Sequence, residues 1–375
     1  MIRQEYTKKE KIATKPIQMG DTIRVVTTDD SALIRLTLSR YLNRFPDIEV
    51  VGQASNGQEM LALVETTQPD VVVLDVEMPV MNGIEALERL MHTHPLPVIM
   101  LSNLTWSGAE VTLQALELGA VDFVVKPHPG VTMAETVDLL VEKIRQATTA
   151  NVHAYSAHQN TRAKSNGFTP NGIDADQNHG KKISALHPQD MLLVIASSTG
   201  GPSALTAFLC ALPTGLTLGG VIIQHMPAGF TTILSQRLNK IGDYTIIEAT
   251  TGSRLMRGQF LVAPGGYHLT FDRQGVATLE EGPVVNGVRP AADVTFRSLA
   301  QHFGPRIIAV VMTGMGCDGF AGAQDIHRHG GRILAQDEQS AVVFGMPRRI
   351  VEANLAEYVS SPALLAAYAA KQVAL

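Results

Sequence analysis

Residues Val71–Gly83 read VVVLDVEMPVMNG. An apolar run closes on an aspartate, Met-Pro and Asn-Gly follow as turn signals, and a pattern with helical spacing opens at Gly83. That is a strand, a tight connection and a helix, and the same unit recurs on both sides. The runs IRVVTT, EVVGQA, DVVVLD, PVIMLS and VDFVV alternate with helical patterns over Ala32–Arg44, Gly57–Thr67, Gly83–Met91, Ser107–Leu118 and Thr132–Gln146. Strands alternating with helices predict an α/β fold, a five-stranded, doubly wound parallel sheet covered by helices on both faces.

A second alternation starts at Met191. Strands are expected at MLLVIA, GGVIIQ, YTIIEA, QFLVAP, RIIAVVM and RILAQ, and helices over Pro202–Leu212, Phe230–Leu238, Val294–His302, Gly319–His329 and Met346–Val351. The stretch QFLVAPGGYHLTFDRQGVATL reads as hairpin-like, turning at Gly-Gly and at Gln-Gly. This half is α/β with a small antiparallel insertion. Between the halves, Thr148 to Pro188, periodicity stops and small polar residues dominate, too poor in large apolar side chains to bury a core. His153, His158, His179 and His187 in this stretch match no metal-ligand spacing and are read as solvated. The expected organisation is a disordered tail over 1–20, an α/β domain over 21–147, a flexible linker over 148–188 and a second α/β domain over 189–375. Met19, just ahead of the first strand, reads as an alternative start.

A chain of 375 residues is long for one core, in keeping with two domains. The net charge of −5 gives no global attraction to nucleic acid or acidic lipid. The second half shows no helix-turn-helix pattern or basic stripe, which argues against DNA binding. Two cysteines, Cys210 and Cys317, make no disulfide framework and point to a reducing cytosol, with Cys317 expected as a buried bystander. No apolar run is long enough to cross a bilayer, and the first residues lack the apolar stretch of a secretion signal.

Chemistry collects at strand ends. Asp29 and Asp30 end the first strand, Asp75 the third, Ser102 the fourth and Lys126 the fifth. The carboxyl ends of parallel strands line one crevice, so three carboxylates, a hydroxyl and an ammonium are expected to converge. Clustered carboxylates repel unless a cation sits among them, and Mg²⁺ suits such a site. An aspartate beside Mg²⁺ and a lysine is a poised phosphoryl acceptor. Taken singly, each aspartate is as readily a turn residue or helix cap. A cis Lys126–Pro127 bond is expected to aim the lysine.

In the second half, Ser198 follows MLLVIA and precedes Thr199, Gly200 and Gly201. His225 follows GGVIIQ, and Asp318 follows RIIAVVM. A serine nucleophile needs a neighbouring base, and that base needs a carboxylate to hold its tautomer. Ser198 could equally cap a helix, and Ser-Thr-Gly-Gly could cradle a phosphate, but the lysine of a P-loop is missing. His225 alone could be a structural histidine, and Asp318 alone a turn residue. G-x-S-x-G is absent, which disfavours an ordinary α/β-hydrolase.

The pieces TTDDSALIR, LDVEMPVMNG, VIMLSNLT and GAVDFVVKP closely resemble the receiver domain of response regulators. The resemblance implies a flavodoxin-like receiver fold, phosphorylation at Asp75, metal ligation by Asp29, Asp30, Asp75 and the Glu77 carbonyl, and switch roles for Ser102, Phe123 and Lys126. Thr27–Thr28 depart from the aliphatic residues usual there. From Met191 to about Ala353 the chain resembles the catalytic domain of the chemotaxis protein-glutamate methylesterases, the CheB family. The matching motifs are ASSTGGPSAL, QHMPAGFT, VAPGGYHL, GPVVNGVRPAADVTFRSLA, MTGMGCDG and AQDEQSAVVFGMPR. This implies a three-layer α/β/α, Rossmann-like serine-hydrolase domain. Its nucleophile would be Ser198, its base His225 and its orienting carboxylate Asp318, with backbone N–H groups near Thr199 and Met315 as oxyanion-hole candidates. Ala196–Ser197 stand where the family usually has Gly-Ala, and Asn286–Val288 replace a commonly more basic stretch. The implied activity is phosphorylation-controlled hydrolysis of glutamate γ-methyl esters, with glutamine deamidation, on chemotaxis receptors. A chemotaxis histidine kinase would be the phosphodonor, Mg²⁺ the receiver's cofactor, and the catalytic half would need none. The competing reading is a binding module whose hydrolase-like half has lost activity.

Overall fold

A computed structural model describes residues 22–128, 131–152, 154, 182–216 and 218–373. The expected tail, Met19, and most of the linker with His153, His158 and His179 lie outside the described residues.

The first half holds β1 (Ile23–Thr28), α1 (Ala32–Leu42), β2 (Ile48–Ala54), α2 (Gly57–Thr67), β3 (Val71–Asp75), α3 (Gly83–Thr93), β4 (Val98–Ser102), α4 (Trp106–Leu118), β5 (Asp122–Val125) and α5 (Met133–Ala147). The strands form one parallel sheet in the order β2-β1-β3-β4-β5. Alternate residues face opposite cores: Val25 packs with Leu38 and Leu42 of α1 and Leu140 and Ile144 of α5, while Val26 packs with Met60 of α2, Leu87 of α3 and Leu113 of α4. Helix starts are chemically encoded, by Ser31, Asn56, Asn82, Thr105 and a Thr132–Glu135 capping box.

The second half holds β6 (Ser184–Ala185), β7 (Met191–Ser197), α6 (Gly201–Ala211), β8 (Leu218–Gln224), α7 (Phe230–Asn239), β9 (Thr245–Glu248), β10 (Met256–Arg257) and β11 (Gln259–Val262). There follow β12 (His268–Phe271), β13 (Ala277–Glu280), α8 (Ala292–Phe303), β14 (Ile307–Val311), α9 (Phe320–Arg328), β15 (Arg332–Gln336), α10 (Met346–Glu352), β16 (Tyr358–Ser360) and α11 (Pro362–Val373). Seven strands make a parallel sheet in the order β16-β15-β14-β7-β8-β11-β9. Leu193 and Ile195 of β7 face the layer of α6, α7 and α11, and Leu192, Val194 and Ala196 face the layer of α8, α9 and α10.

Several expectations change. The hairpin at Gly-Gly does not form. Strand β11 lies parallel to β8 and β9, its residues Phe260–Val262 buried, and within this stretch the antiparallel pairing is that of β12 with β13. Strand β16 and helix α11, passed over in the sequence reading, close the sheet's far edge. Helix α11 buries Leu365, Ala366 and Ala369, a stripe of mostly small residues with little periodic contrast. The expected linker is structured at both ends. Asn151 donates from its backbone N–H to the Val342 carbonyl and from its amide to the Gln339 carbonyl, and β6 pairs with β10. His187 is described and exposed, as expected of a solvated histidine. The cis peptide among the described residues is Arg289–Pro290, not Lys126–Pro127, and Lys126 reaches its carboxylates without one.

The two halves share a packed interface. Helix α4 lies against α6 and α7, and Phe123 stacks on Phe230 at a centroid separation of 4.5 Å. Val342 and Val343 of the second half bury themselves among Val124, Val141 and Ile144 of the first.

Candidate functional site

Strands β7 and β8 are neighbours, with Ser197 paired to Gln224, so Ser198 and His225 leave the sheet side by side. The His225 N–H also donates to the Ser197 carbonyl at 3.1 Å. Strand β14 flanks β7 on its other side, and the loop after it carries Asp318. His225 Nε2 lies 2.7 Å from Asp318 Oδ2. Ser197 and Ser198 are cleanly distinguished. Ser197 is fully buried and donates to Gln224 Oε1 at 2.7 Å, whereas Ser198 is only half-buried. Ser198 does not cap the helix either, because α6 starts at Gly201 behind Gly200, which takes the left-handed conformation at φ +75. A Cβ at Gly200 would meet Val342, and one at Gly314 would meet Ser198.

Asp318 is held by more than the histidine. The N–H groups of Ala292 and Asp293, the first turn of α8, donate to it at 2.6 and 3.1 Å, and Asn286 Nδ2 donates at 3.1 Å. A helix N-terminus with free N–H groups favours an anion. Burial pushes the Asp318 carboxyl up, but the His225 contact and these N–H groups outweigh it and hold it below the ordinary aspartate value. Asn286 bridges to Asp293 Oδ2 at 2.9 Å, and burial drives Asp293 upward. Asn286 and Gly287 both take positive φ between bridged Val285 and Val288, the Asn-Gly turn of a tight hairpin. The sequence reading noted these residues only as a departure from a basic stretch; the Asn-Gly pair between valines was the available signal. Cys317 is exposed, correcting the expected buried thiol, because its loop turns outward to bring Asp318 inward. Met315 is 37% exposed and Thr199 is buried.

In the first half, single ligand atoms from Asp29, Asp30 and Asp75 lie within 4.8 Å of one another. Lys126 Nζ sits 2.7 Å from Asp29 Oδ2 and 2.8 Å from Asp75 Oδ2. Burial pushes Asp75 up to about 6 against the opposing pull of Lys126. Asp75 Oδ1 is buried with no hydrogen-bond partner among the described residues, so oxygen lone pairs remain for a hard divalent cation. Ser102 is buried and turned toward α4, accepting from Thr112 Oγ1 at 2.6 Å. Glu77 is exposed, and its carboxylate accepts from Asn103.

The two halves are joined beside Ser198 by a residue the sequence reading did not single out. Asp122 Oδ2 accepts from Thr199 Oγ1 at 2.5 Å and pairs with Lys143 Nζ at 2.6 Å. Asp122 immediately precedes Phe123, and Thr199 immediately follows Ser198.

A family model described as CheB methylesterase matches residues 193–368, and one described as response regulator receiver domain matches residues 25–138. A protein-glutamate methylesterase/protein-glutamine glutaminase of Geobacillus kaustophilus is 42% identical over 344 residues, 90% of this chain and 95% of its own. This chain belongs to the CheB methylesterase family. A Pyrococcus abyssi protein of the same name is 39% identical over 345 residues, covering 91% of this chain and 90% of that one. Among solved structures, the catalytic domain of Thermotoga maritima CheB is 36% identical, covering 49% of this chain and 98% of that chain at a TM-score of 0.48. The T. maritima CheB response regulator domain is 44% identical, covering 35% and 98% at a TM-score of 0.33. The two family models together place a receiver domain and a methylesterase domain in this chain. No helix among its described residues is long and apolar enough to cross a membrane.

Proposed function

We propose that this protein hydrolyses glutamate γ-methyl esters, and deamidates glutamine, on chemotaxis receptors, and that phosphorylation of Asp75 raises its activity. The observation that carries the reading is the 2.7 Å contact of His225 Nε2 with Asp318 in the loop beside Ser198. Because Nε2 is engaged with Asp318, Nδ1 is the nitrogen that takes the Ser198 proton. The hydroxyl attacks the ester carbonyl, and the oxyanion is held by backbone N–H groups near Thr199 and Met315, each supplying about 3–4 kcal/mol. His225 returns the proton to the leaving methanol, then activates the water that hydrolyses the acyl-enzyme. An amide passes through a similar tetrahedral intermediate and releases ammonia.

In the receiver, Asp29, Asp30, Asp75 and the Glu77 carbonyl would hold Mg²⁺, which when bound neutralises charge on the phosphoryl group and the carboxylates. Lys126 holds Asp75 ionised and oriented. A histidine kinase is the phosphodonor. Phosphorylation adds about two negative charges at Asp75, and Ser102 and Phe123 respond to it. Since Phe123 stacks on Phe230 and its neighbour Asp122 holds Thr199, a shift there loosens the interface beside Ser198 and opens the approach to the ester.

The test is methanol release from methylated receptor membranes by wild type and Ser198→Ala, each with and without a small phosphodonor and Mg²⁺. Release that requires Ser198 and rises with the donor is expected. No release from folded protein under any condition would replace this reading with the binding module.

A further inference from the structure

Gln224 is 1% exposed and stands between the two residues read above as nucleophile and base. Its amide nitrogen donates to the Ser198 carbonyl at 2.8 Å and to the His225 carbonyl at 3.3 Å, spending both of its hydrogens on their backbones. Its amide oxygen accepts from the buried Ser197 hydroxyl at 2.7 Å. The two carbonyls decide the amide's orientation, since they only accept and a flipped amide would set its oxygen against both, and the Ser197 hydroxyl then satisfies the amide oxygen. The site is tight, because a Cβ on Gly201 would lie 1.9 Å from Gln224 Oε1.

From this geometry we propose that Gln224, its amide oxygen satisfied by Ser197, is a positioning residue of the reaction, locking the main chain of the nucleophile to that of its base. The reading of Ser198 and His225 underlies this inference. A pure fold role fits the bonding less well. The Ser198 carbonyl already accepts from the Gly201 N–H at 2.7 Å, so it is satisfied without Gln224. What the amide adds is a cross-link between two loops that no other side chain makes with one group among the described residues. Ser197, buried and far from competing as a nucleophile, gains a purpose that alanine at that position would lack.

The experiment uses the full chain, with Mg²⁺ and a small phosphodonor, and compares wild type, Gln224→Met, Ser197→Ala and the double variant. Three quantities are read: the rate at which a fluorophosphonate labels Ser198, kcat and KM for methanol release, and Tm. Gln224→Met is expected to lower labelling and kcat by about 10- to 100-fold with KM within about twofold, because a misplaced reacting pair loses rate rather than binding. Ser197→Ala should lose less, as it leaves the amide oxygen without its donor but keeps both bonds to the carbonyls. In the double variant both hydrogen-bonding partners are gone, so Tm should recover relative to Ser197→Ala while kcat stays at the Gln224→Met level. A kcat that recovers in step with Tm, or an active wild type matched by Gln224→Met within twofold, overturns the positioning role alone. A folded wild type with neither labelling nor methanol release overturns the underlying reading and this one with it.

Discussion

Asp318 collects four donors, and only one of them is the histidine. Asp318→Asn keeps the shape but allows the amide to present a hydrogen to His225, favouring the wrong tautomer. The expected loss in kcat is about 10⁴-fold, measured as methanol release. The same substitution has a pH signature. The folded pKa of Asp318 lies below its ordinary value, so the ionised form contributes stability that is present above about pH 4 and lost as pH falls through the folded pKa. Tm against pH should therefore fall less steeply on the acid side in Asp318→Asn. Asp75 has the opposite sign. Its pKa is raised to about 6, so without metal its ionisation costs stability as pH climbs from about 4 to 6. In chelator, Asp75→Asn should raise Tm at pH 7.5, by more than it does at pH 4. An equal shift at both values would show that burial does not perturb this carboxylate.

Strand β1 carries a local conflict. Thr27 and Thr28 are fully buried, and neither hydroxyl has a partner among the described residues. Thr27 lies on the Val25 side of the sheet, among the apolar groups of α1 and α5. Thr27→Val removes a buried hydroxyl while keeping the β-branched shape, and should stabilise the fold by about 1 kcal/mol, read as a higher urea midpoint at unchanged slope. A lower midpoint would reveal a partner for the hydroxyl. Strands β7 and β8 show the converse, with local pattern and tertiary role in agreement. Both read as continuous apolar runs and are buried throughout, apart from the first residue of β7. Strand β11 was harder to place. Its four residues suit either a hairpin arm or a central parallel strand, and in the fold the Phe260 ring fills the space that Gly220 of β8 leaves, where a Cβ would clash with it.

The two halves meet on polar as well as apolar contacts. Arg237 of α7 pairs with Glu117 of α4 at 2.7 Å and donates to the Glu110 carbonyl at 3.3 Å. A partly exposed pair of this kind contributes up to about 1 kcal/mol. If the closed arrangement restrains the active site, Arg237→Ala should raise the unphosphorylated rate by about 2- to 5-fold by populating the open state. The phosphodonor-stimulated rate should change less. An unaltered basal rate would mean that this edge of the interface does not hold the enzyme closed. Asp75→Asn tests the other end of the switch, and should keep the basal rate while losing stimulation by the phosphodonor.

Much of this was legible in the linear chain. The alternation of apolar runs and helical patterns specified two α/β units, because periodicity and capping residues act over a few neighbours. Strand-end positions singled out Asp29, Asp30, Asp75, Ser102 and Lys126, and Ser198, His225 and Asp318, because parallel strands deliver their carboxyl ends to one edge. The rest depended on contacts between residues far apart in the chain. Asp122 meeting Thr199, Phe123 stacking on Phe230, Asn286 spanning two carboxylates and Gln224 linking two loops leave no periodic trace. Each is one ordinary residue whose role comes from what the folded sheets set opposite it, and hydrogen bonds and ring stacking are decided by ångström distances that spacing along the chain does not encode.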